Sequence, residues 1–234
     1  MAEVEEMIDY IVPTFNSAAT LATCLKSIRR FGEPNSIIII DNNSTDDTEK
    51  IAKSQGCDFY KVVSGIGRAR YMGAKLATAT RIAFVDSDVE LKASWQKVLG
   101  SDAPIVSGWY EAFHRPLPHV VTGAAGFIAC SILDRQLILD CVDMQSWDYG
   151  EDSRFARWYS KPWLILDAEC IHHRKDTSDR WRKYGASKRQ IDGFSLTDLK
   201  RIIGGAAIGY YMGSATNYFK NIWVRFHYLR GYLG

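Results

Sequence analysis

Four groups of polar residues stand at the boundaries of apolar or helix-like runs. Asp41 directly follows four isoleucines, and Asp86-Ser87-Asp88 follows Arg81-Ile82-Ala83-Phe84-Val85. Gly150-Glu151-Asp152 opens a helix-like stretch, and His172-His173 closes another apolar one. Two acids at i and i+2 on a continuing strand point to one face, but at a strand terminus they can converge on a single cation. Such an Asp-x-Asp suits Mn²⁺ or Mg²⁺ bridging a diphosphate, because the ion neutralises a leaving group that gains charge. An isolated Asp-Ser-Asp is as readily an acidic surface turn, and the strand before it tips the balance toward a site. Glu151 and Asp152 would complement the dipole of a first helical turn, or one of them would serve as the general base for an attacking hydroxyl. A histidine at position 172 would cap or pack, or would complete a Mn²⁺ shell if Asp88 is a ligand. Gly65-Ile66-Gly67-Arg68-Ala69-Arg70 resembles the start of a dinucleotide fingerprint, yet it follows the third strand-like run and has Arg70 at the last glycine position. Hydride transfer is therefore disfavoured. Arg68 and Arg70 at a helix start suit contact with a diphosphate, or else form a solvated basic turn.

The elements that must position these residues alternate. Apolar runs at 7–13, 36–40, 59–63 and 81–85 read as strands. Between them, 17–31, 44–56 and 67–80 read as helices, the first with Asn16 or Ser17 as N-cap. This order implies an α/β fold with an open, mostly parallel Rossmann-like sheet and helices on both faces. Ligands of such sheets bind beyond the carboxyl ends of the strands, which is where the acids fall. Further on, short strands are expected at 105–109, 120–121 and 164–166, with helices at 131–141 and 152–159.

Composition narrows the class. With 234 residues, 47% hydrophobic and 24% charged, the chain can bury one sizeable core, and wholesale disorder is excluded. The net charge of +2 conceals an asymmetry: positions 172–234 carry 12 Lys/Arg and 4 Asp/Glu, and positions 1–171 carry 17 and 23. Five cysteines without a CxxC pair point to buried thiols in a reducing compartment. The first residues are acidic where a secretory leader would be basic and then apolar, which favours the cytoplasm. Positions 202–219 are 18 residues without a charge, and Gly205, Gly209 and Gly213 recur every four. Trp223, Phe226, Tyr228 and Tyr232 then mix with Arg225 and Arg230, as on a helix lying at an anionic membrane surface. A membrane-surface anchor, a transmembrane helix, and helices packed on the body or on a homodimer mate all fit this tail. Nucleic-acid binding does not, since its aromatics alternate with apolar residues and no such motif is present.

In order, these segments resemble the family 2 glycosyltransferases of the GT-A fold. Ile11-Val12-Pro13-Thr14-Phe15-Asn16 is similar to that family's VPTYN opening, and Asp41-Asn42-Asn43-Ser44-Thr45-Asp46-Asp47-Thr48 to its DDGSTDGT segment. Gly67-Arg68-Ala69-Arg70-Tyr71-Met72-Gly73 stands for GxARNxG, with Tyr71 replacing Asn. Phe84-Val85-Asp86-Ser87-Asp88 matches the FLDADD (DXD) metal motif, and Tyr149-Gly150-Glu151-Asp152-Ser153-Arg154-Phe155-Ala156 resembles the GEDxDLxxR segment.

The resemblance implies a nucleotide-diphosphate sugar donor. Pro13 and Thr14 would lie against the nucleoside, Asp41 would hydrogen-bond the base, and Asp86 would approach the ribose. Asn16, Arg68, Arg70 and Ser87 would complete the nucleotide-sugar contacts. Asp88 would bind Mn²⁺ or Mg²⁺ with the diphosphate, His172 (with His173 as its rival) would assist, and Asp152 would be the base, Glu151 being the less favoured candidate. The implied enzyme inverts the anomeric configuration and acts on a glycan or lipid-linked hydroxyl, peripherally at the cytoplasmic membrane face. Transfer to a polyprenyl phosphate is the alternative, disfavoured because an ionised phosphate needs no base. A non-catalytic nucleotide-sugar-binding or scaffolding module would lose one of the two acid motifs. Residues 1–186 are expected to form the catalytic domain and 187–234 the helical tail.

Overall fold

A computed structural model describes residues 7–110, 119–121, 128–148, 150–161, 163–173, 229–230 and 233. Residues Met1–His173 form one compact unit and Arg174–Gly234 another. The elements of the first are β1 (Ile8–Thr14), α1 (Leu21–Phe31), β2 (Pro34–Asp41), α2 (Thr48–Ser54), β3 (Asp58–Lys61), α3 (Ile66–Leu76), β4 (Arg81–Val85) and β5 (Val89–Leu91). They continue with α4 (Gln96–Leu99), β6 (Ile105–Tyr110), β7 (His119–Val121), β8 (Cys130–Asp134), α5 (Arg135–Asp140), α6 (Glu151–Tyr159) and β9 (Trp163–His172). The strands form one sheet in the order β3-β2-β1-β4-β8-β6-β9-β5, with β7 beside β9.

The first four strands are parallel, so their carboxyl ends lie on one side. Thr14 pairs with Asp41 and Asp41 with Lys61, which sets the strand-end residues in a row. The β1–β4 ladder runs from Ile8 to Ile11, so Pro13, which has no N–H, falls beyond it. From β4 onward the sheet is mixed: β8 is antiparallel to both β4 and β6, whereas β9 is parallel to β6.

Strand periodicity divides the apolar residues between two cores. Tyr10 and Val12 of β1, Ile37 and Ile39 of β2, and Ala83 and Val85 of β4 pack with α1 residues Leu21, Leu25 and Ile28. Their alternates Ile11, Ile38, Ile40, Ile82 and Phe84 join Ala69 and Ala74 of α3, Ile138 of α5 and Phe155 of α6. Burying one such side chain contributes roughly 1.5–3 kcal/mol, and the four-isoleucine run supplies both faces equally. All five cysteines are buried free thiols.

Some boundaries differ from the sequence reading for physical reasons. Residues 131–141 are not one helix: Ser131, Ile132 and Leu133 belong to β8, held by β4, and α5 starts at Arg135. The helix expected over 44–56 starts at Thr48, because the residues before it bond to the loop after β1. Helix α3 ends at Leu76, where the Thr78 and Ala79 N–H groups turn to the Asp9 carboxylate. Strand β9 extends to His172, far beyond 164–166, because it pairs with β5, β6 and β7.

Candidate active site

The loops after β1 and β2 are knitted together. Asp41, buried completely, accepts hydrogen bonds at Oδ1 from the Thr14 hydroxyl (2.8 Å) and the Ser44 hydroxyl, and at Oδ2 from the Ser44 N–H (2.8 Å). Asn16, in the left-handed region at φ 48°, donates its N–H to Ser44 Oγ (2.8 Å) and accepts the Thr45 N–H at Oδ1 (2.9 Å). Asp46 accepts the N–H groups of Ala18 and Thr48, and the Ser17 N–H goes to Thr48 Oγ1. What desolvation Asp46 suffers raises its pKa, but hydrogen bonds from Thr48 and Ala18 outweigh it and leave the carboxyl below its ordinary value. In the sequence Ser17 stands out only as an N-cap candidate, and Asp46 and Thr48 only as members of the DDGSTDGT-like segment and a helix start, with no site role attached. A bond of 2.8 Å between the Ser17 and Ser87 hydroxyls then joins this loop pair to the end of β4.

At that end the chain turns sharply, the Val89 N–H donating to the Asp86 carbonyl. The two acids of the motif part company. Asp88 Oδ1 lies 3.0 Å from His172 Nε2, brought there by the β5–β9 pairing, and the His173 N–H donates to the Asp88 carbonyl (2.7 Å). His173 turns instead to Glu90, 2.8 Å away. Asp86 faces α3, where Arg70 Nη2 donates to its Oδ1 at 2.8 Å.

Residues two apart on a helix lie on nearly opposite sides, so Arg68 and Arg70 cannot share one role. Arg68 is exposed and Arg70 is buried. The sequence reading put Arg70 on a diphosphate; in the structure its guanidinium lies inside, ion-paired with Asp86, Glu151 and Asp152. Nη1 donates to Glu151 Oε1 and, at 3.1 Å, to Asp152 Oδ1. Burial disfavours the charge, yet the three carboxylates outweigh it and keep Arg70 cationic.

Helix α6 delivers both acids from a glycine at φ 67°, a left-handed entry that glycine takes without a Cβ penalty. The segment before it, Val142–Ser146 and Trp147, lies against Gly67, where a Cβ would strike the Met144 and Trp147 carbonyls. The Gly-x-Gly run is thus a seat for the strand of chain that leads to α6. The Glu151 side chain is 10% exposed and that of Asp152 37%, so Asp152 is the better placed of the two to meet a substrate. Burial raises the Asp152 pKa well above the usual carboxylate range; Glu151 raises it further and Arg70 opposes. Asp86 is raised by burial as well, against the pull of Arg70.

Residues 9–100 match the family described as Glycosyl transferase family 2. Among the chain's relatives is the 4,4'-diaponeurosporenoate glycosyltransferase of Staphylococcus aureus (strain USA300), 35% identical over 86 residues. The matched stretch covers 34% of this chain and only 23% of that protein. Crystal structures share the fold. Staphylococcus aureus TarS with UDP-GlcNAc is 18% identical at a TM-score of 0.55, over 73% of this chain and 59% of that one. Glucosyl-3-phosphoglycerate synthase from Mycobacterium tuberculosis, with Mn²⁺ and UDP-glucose, is 18% identical at 0.52, over 81% and 80%. The α/β architecture is therefore the Rossmann-like GT-A fold that the ordered motifs implied. Glu151, Asp152 and His172 lie beyond the matched segment, in the part of the unit that completes the sheet.

Among the described residues no group of three or more His, Cys, Asp or Glu is arranged to hold a metal ion. No described helix is long and apolar enough to cross a membrane. Positions 202–219 and the aromatic stretch after them, apart from Leu229, Arg230 and Leu233, lie outside the described residues.

Proposed function

We propose that this chain transfers a glycosyl group from a nucleotide-diphosphate sugar to a hydroxyl of a glycan or lipid-linked acceptor, with inversion. The observation that carries the reading is the convergence of Asp86 with Glu151 and Asp152 on Arg70, two residues from the Asp88–His172 pair. Asp152 takes the acceptor proton, the freed oxygen attacks the anomeric carbon from the side opposite the nucleotide, and the diphosphate departs with the bonding electrons. A pKa above the ordinary carboxylate range makes a stronger base, provided the group is ionised at the working pH. Because an ionised phosphate acceptor would need no such base, a sugar hydroxyl is favoured over a polyprenyl phosphate.

The donor pocket lies over the ends of β1, β2 and β4. Pro13 and Thr14 flank the nucleoside, Asn16, Ser87 and Asp86 line its edge, and Arg68 reaches the diphosphate. Asp41 supports the base while its carboxylate holds Thr14 and Ser44 in place. Asp88 and His172 offer a hard oxygen and an imidazole nitrogen 3.0 Å apart, a donor set that suits Mn²⁺ better than Mg²⁺. When bound, the ion supplies charge stabilisation to the leaving diphosphate. The basic, aromatic tail supports action on an acceptor at the cytoplasmic membrane face.

Donor class is tested by thermal unfolding with UDP-, GDP- and dTDP-sugars, with and without Mn²⁺. The true donor should stabilise by about 2.7 kcal/mol at roughly 100 times its Kd. Asp152→Asn should lower turnover by roughly 10²–10⁴-fold with donor binding intact; retained turnover would remove Asp152 from its role.

A further inference from the structure

Among the largest fully buried side chains of the described residues, Arg70 alone carries a charge. Its contacts join distant parts of the chain: Asp86 at the end of β4 through Nη2, and Glu151 and Asp152 at the start of α6 through Nη1. The Nε makes no hydrogen bond among the described residues, and the guanidinium carbon lies 5.7 Å from the centre of the Phe84 ring. Among the described residues the three acids are the only groups that hydrogen-bond this guanidinium, and a buried charge stripped of partners is strongly unfavourable. The planar fork serves acids on two sides at once, which a lysine ammonium cannot do with the same geometry.

We propose that Arg70 is a positioning residue for the acceptor base: one guanidinium fixes the proton-accepting carboxylate of Asp152 against Asp86 on the donor side. This rests on the reading of Asp152 as the base. The groups that face Asp152 are Glu151 on its own helix, Arg70 from α3 and Asp86 from β4, and they pull its proton affinity in opposite directions. Arg70 is thereby matched to its acids in charge as well as in shape, and the reactive oxygen answers to both.

The test needs no donor. In protein labelled with ¹³C at the aspartate carboxyls, the Asp152 signal, identified by its loss in Asp152→Asn, is followed through an acid-to-neutral titration. Arg70→Gln should raise the Asp152 midpoint by about one unit or more, and Glu151→Gln should lower it by a similar amount. Arg70→Lys, which keeps the charge and loses the fork, should hold the midpoint near that of the unsubstituted protein, while its turnover falls roughly 100-fold with donor KM little changed. An Asp152 midpoint unmoved by Arg70→Gln overturns the proposal, whatever Glu151→Gln does. If Arg70→Gln does not fold, Arg70→Lys decides: turnover equal to that of the unsubstituted protein overturns the proposal. The two readings fail separately: turnover surviving in Asp152→Asn removes the base, whereas an inert Asp152→Asn with an unmoved midpoint removes Arg70 only.

Discussion

Asp9 and Asp41, both fully buried, stand at opposite ends of neighbouring strands and do different work. Asp41 marks the end of an isoleucine run and was legible for that reason. Asp9, second in its strand, carries no pattern. Its carboxylate accepts hydrogen bonds from Asn35, Ser36 and the N–H groups of Thr78 and Ala79, fastening the start of β2 and the turn before β4 to β1. Burial raises its pKa, but the Ala79, Ser36, Asn35 and Thr78 bonds outweigh that and leave it below the ordinary value. A depressed folded-state pKa stabilises the fold fully above the unfolded-state value near 3.9, and that share is lost as pH falls through the folded value. Asp9→Asn should therefore cost about 1–3 kcal/mol at neutral pH. Urea unfolding at neutral and acid pH checks this, because the gap to the unsubstituted protein must shrink on acidification. Arg70 stands out in the sequence, but its direction does not: helix phase alone leaves open which of two arginines turns inward.

Elements explain why the acid pair arrives where it does. Helix α6 contains few residues of its own that fix its start; the seat is on α3, at Gly67, together with Gly65, whose added Cβ would meet Asp148. Gly67→Ala would push two backbone carbonyls, which cannot rotate away as a side-chain end would. We expect a loss of about 1–3 kcal/mol in urea unfolding, with a larger relative loss of turnover than of donor binding. Equal stability and turnover would show that the segment has another support. The strand–helix alternation up to β4 was readable because each strand there is an apolar run and each helix has its own period. Beyond it, Ile132-Leu133 and Leu137-Ile138-Leu139 fit either period, and the antiparallel partner β4, absent from any local window, makes the first pair a strand.

For the chain as a whole, acidic and basic residues are divided between positions 1–171 and 172–234, a division written in the sequence. If the tail binds anionic headgroups, each Lys or Arg near the surface contributes about 1 kcal/mol, screened by salt. Removing residues 200–234 should release the protein from anionic vesicles, and high salt should weaken retention of the full chain; equal sedimentation of both forms would refute the anchor. The acids at the strand ends stand out in the sequence, whereas the convergence of three carboxylates on Arg70 depends on contacts across 16 to 82 positions that no spacing rule encodes. Those contacts bear on how the protein is made. The stretch that carries the family likeness stops at residue 100, yet β4 has its second neighbour in β8, and β5 has its partner in β9. A nascent chain that has left the ribosome only that far holds a sheet with one raw edge and a lone aspartate for its buried arginine. The matched segment and the compact unit end at different places, and synthesis must run on to His173 before the two halves can lock.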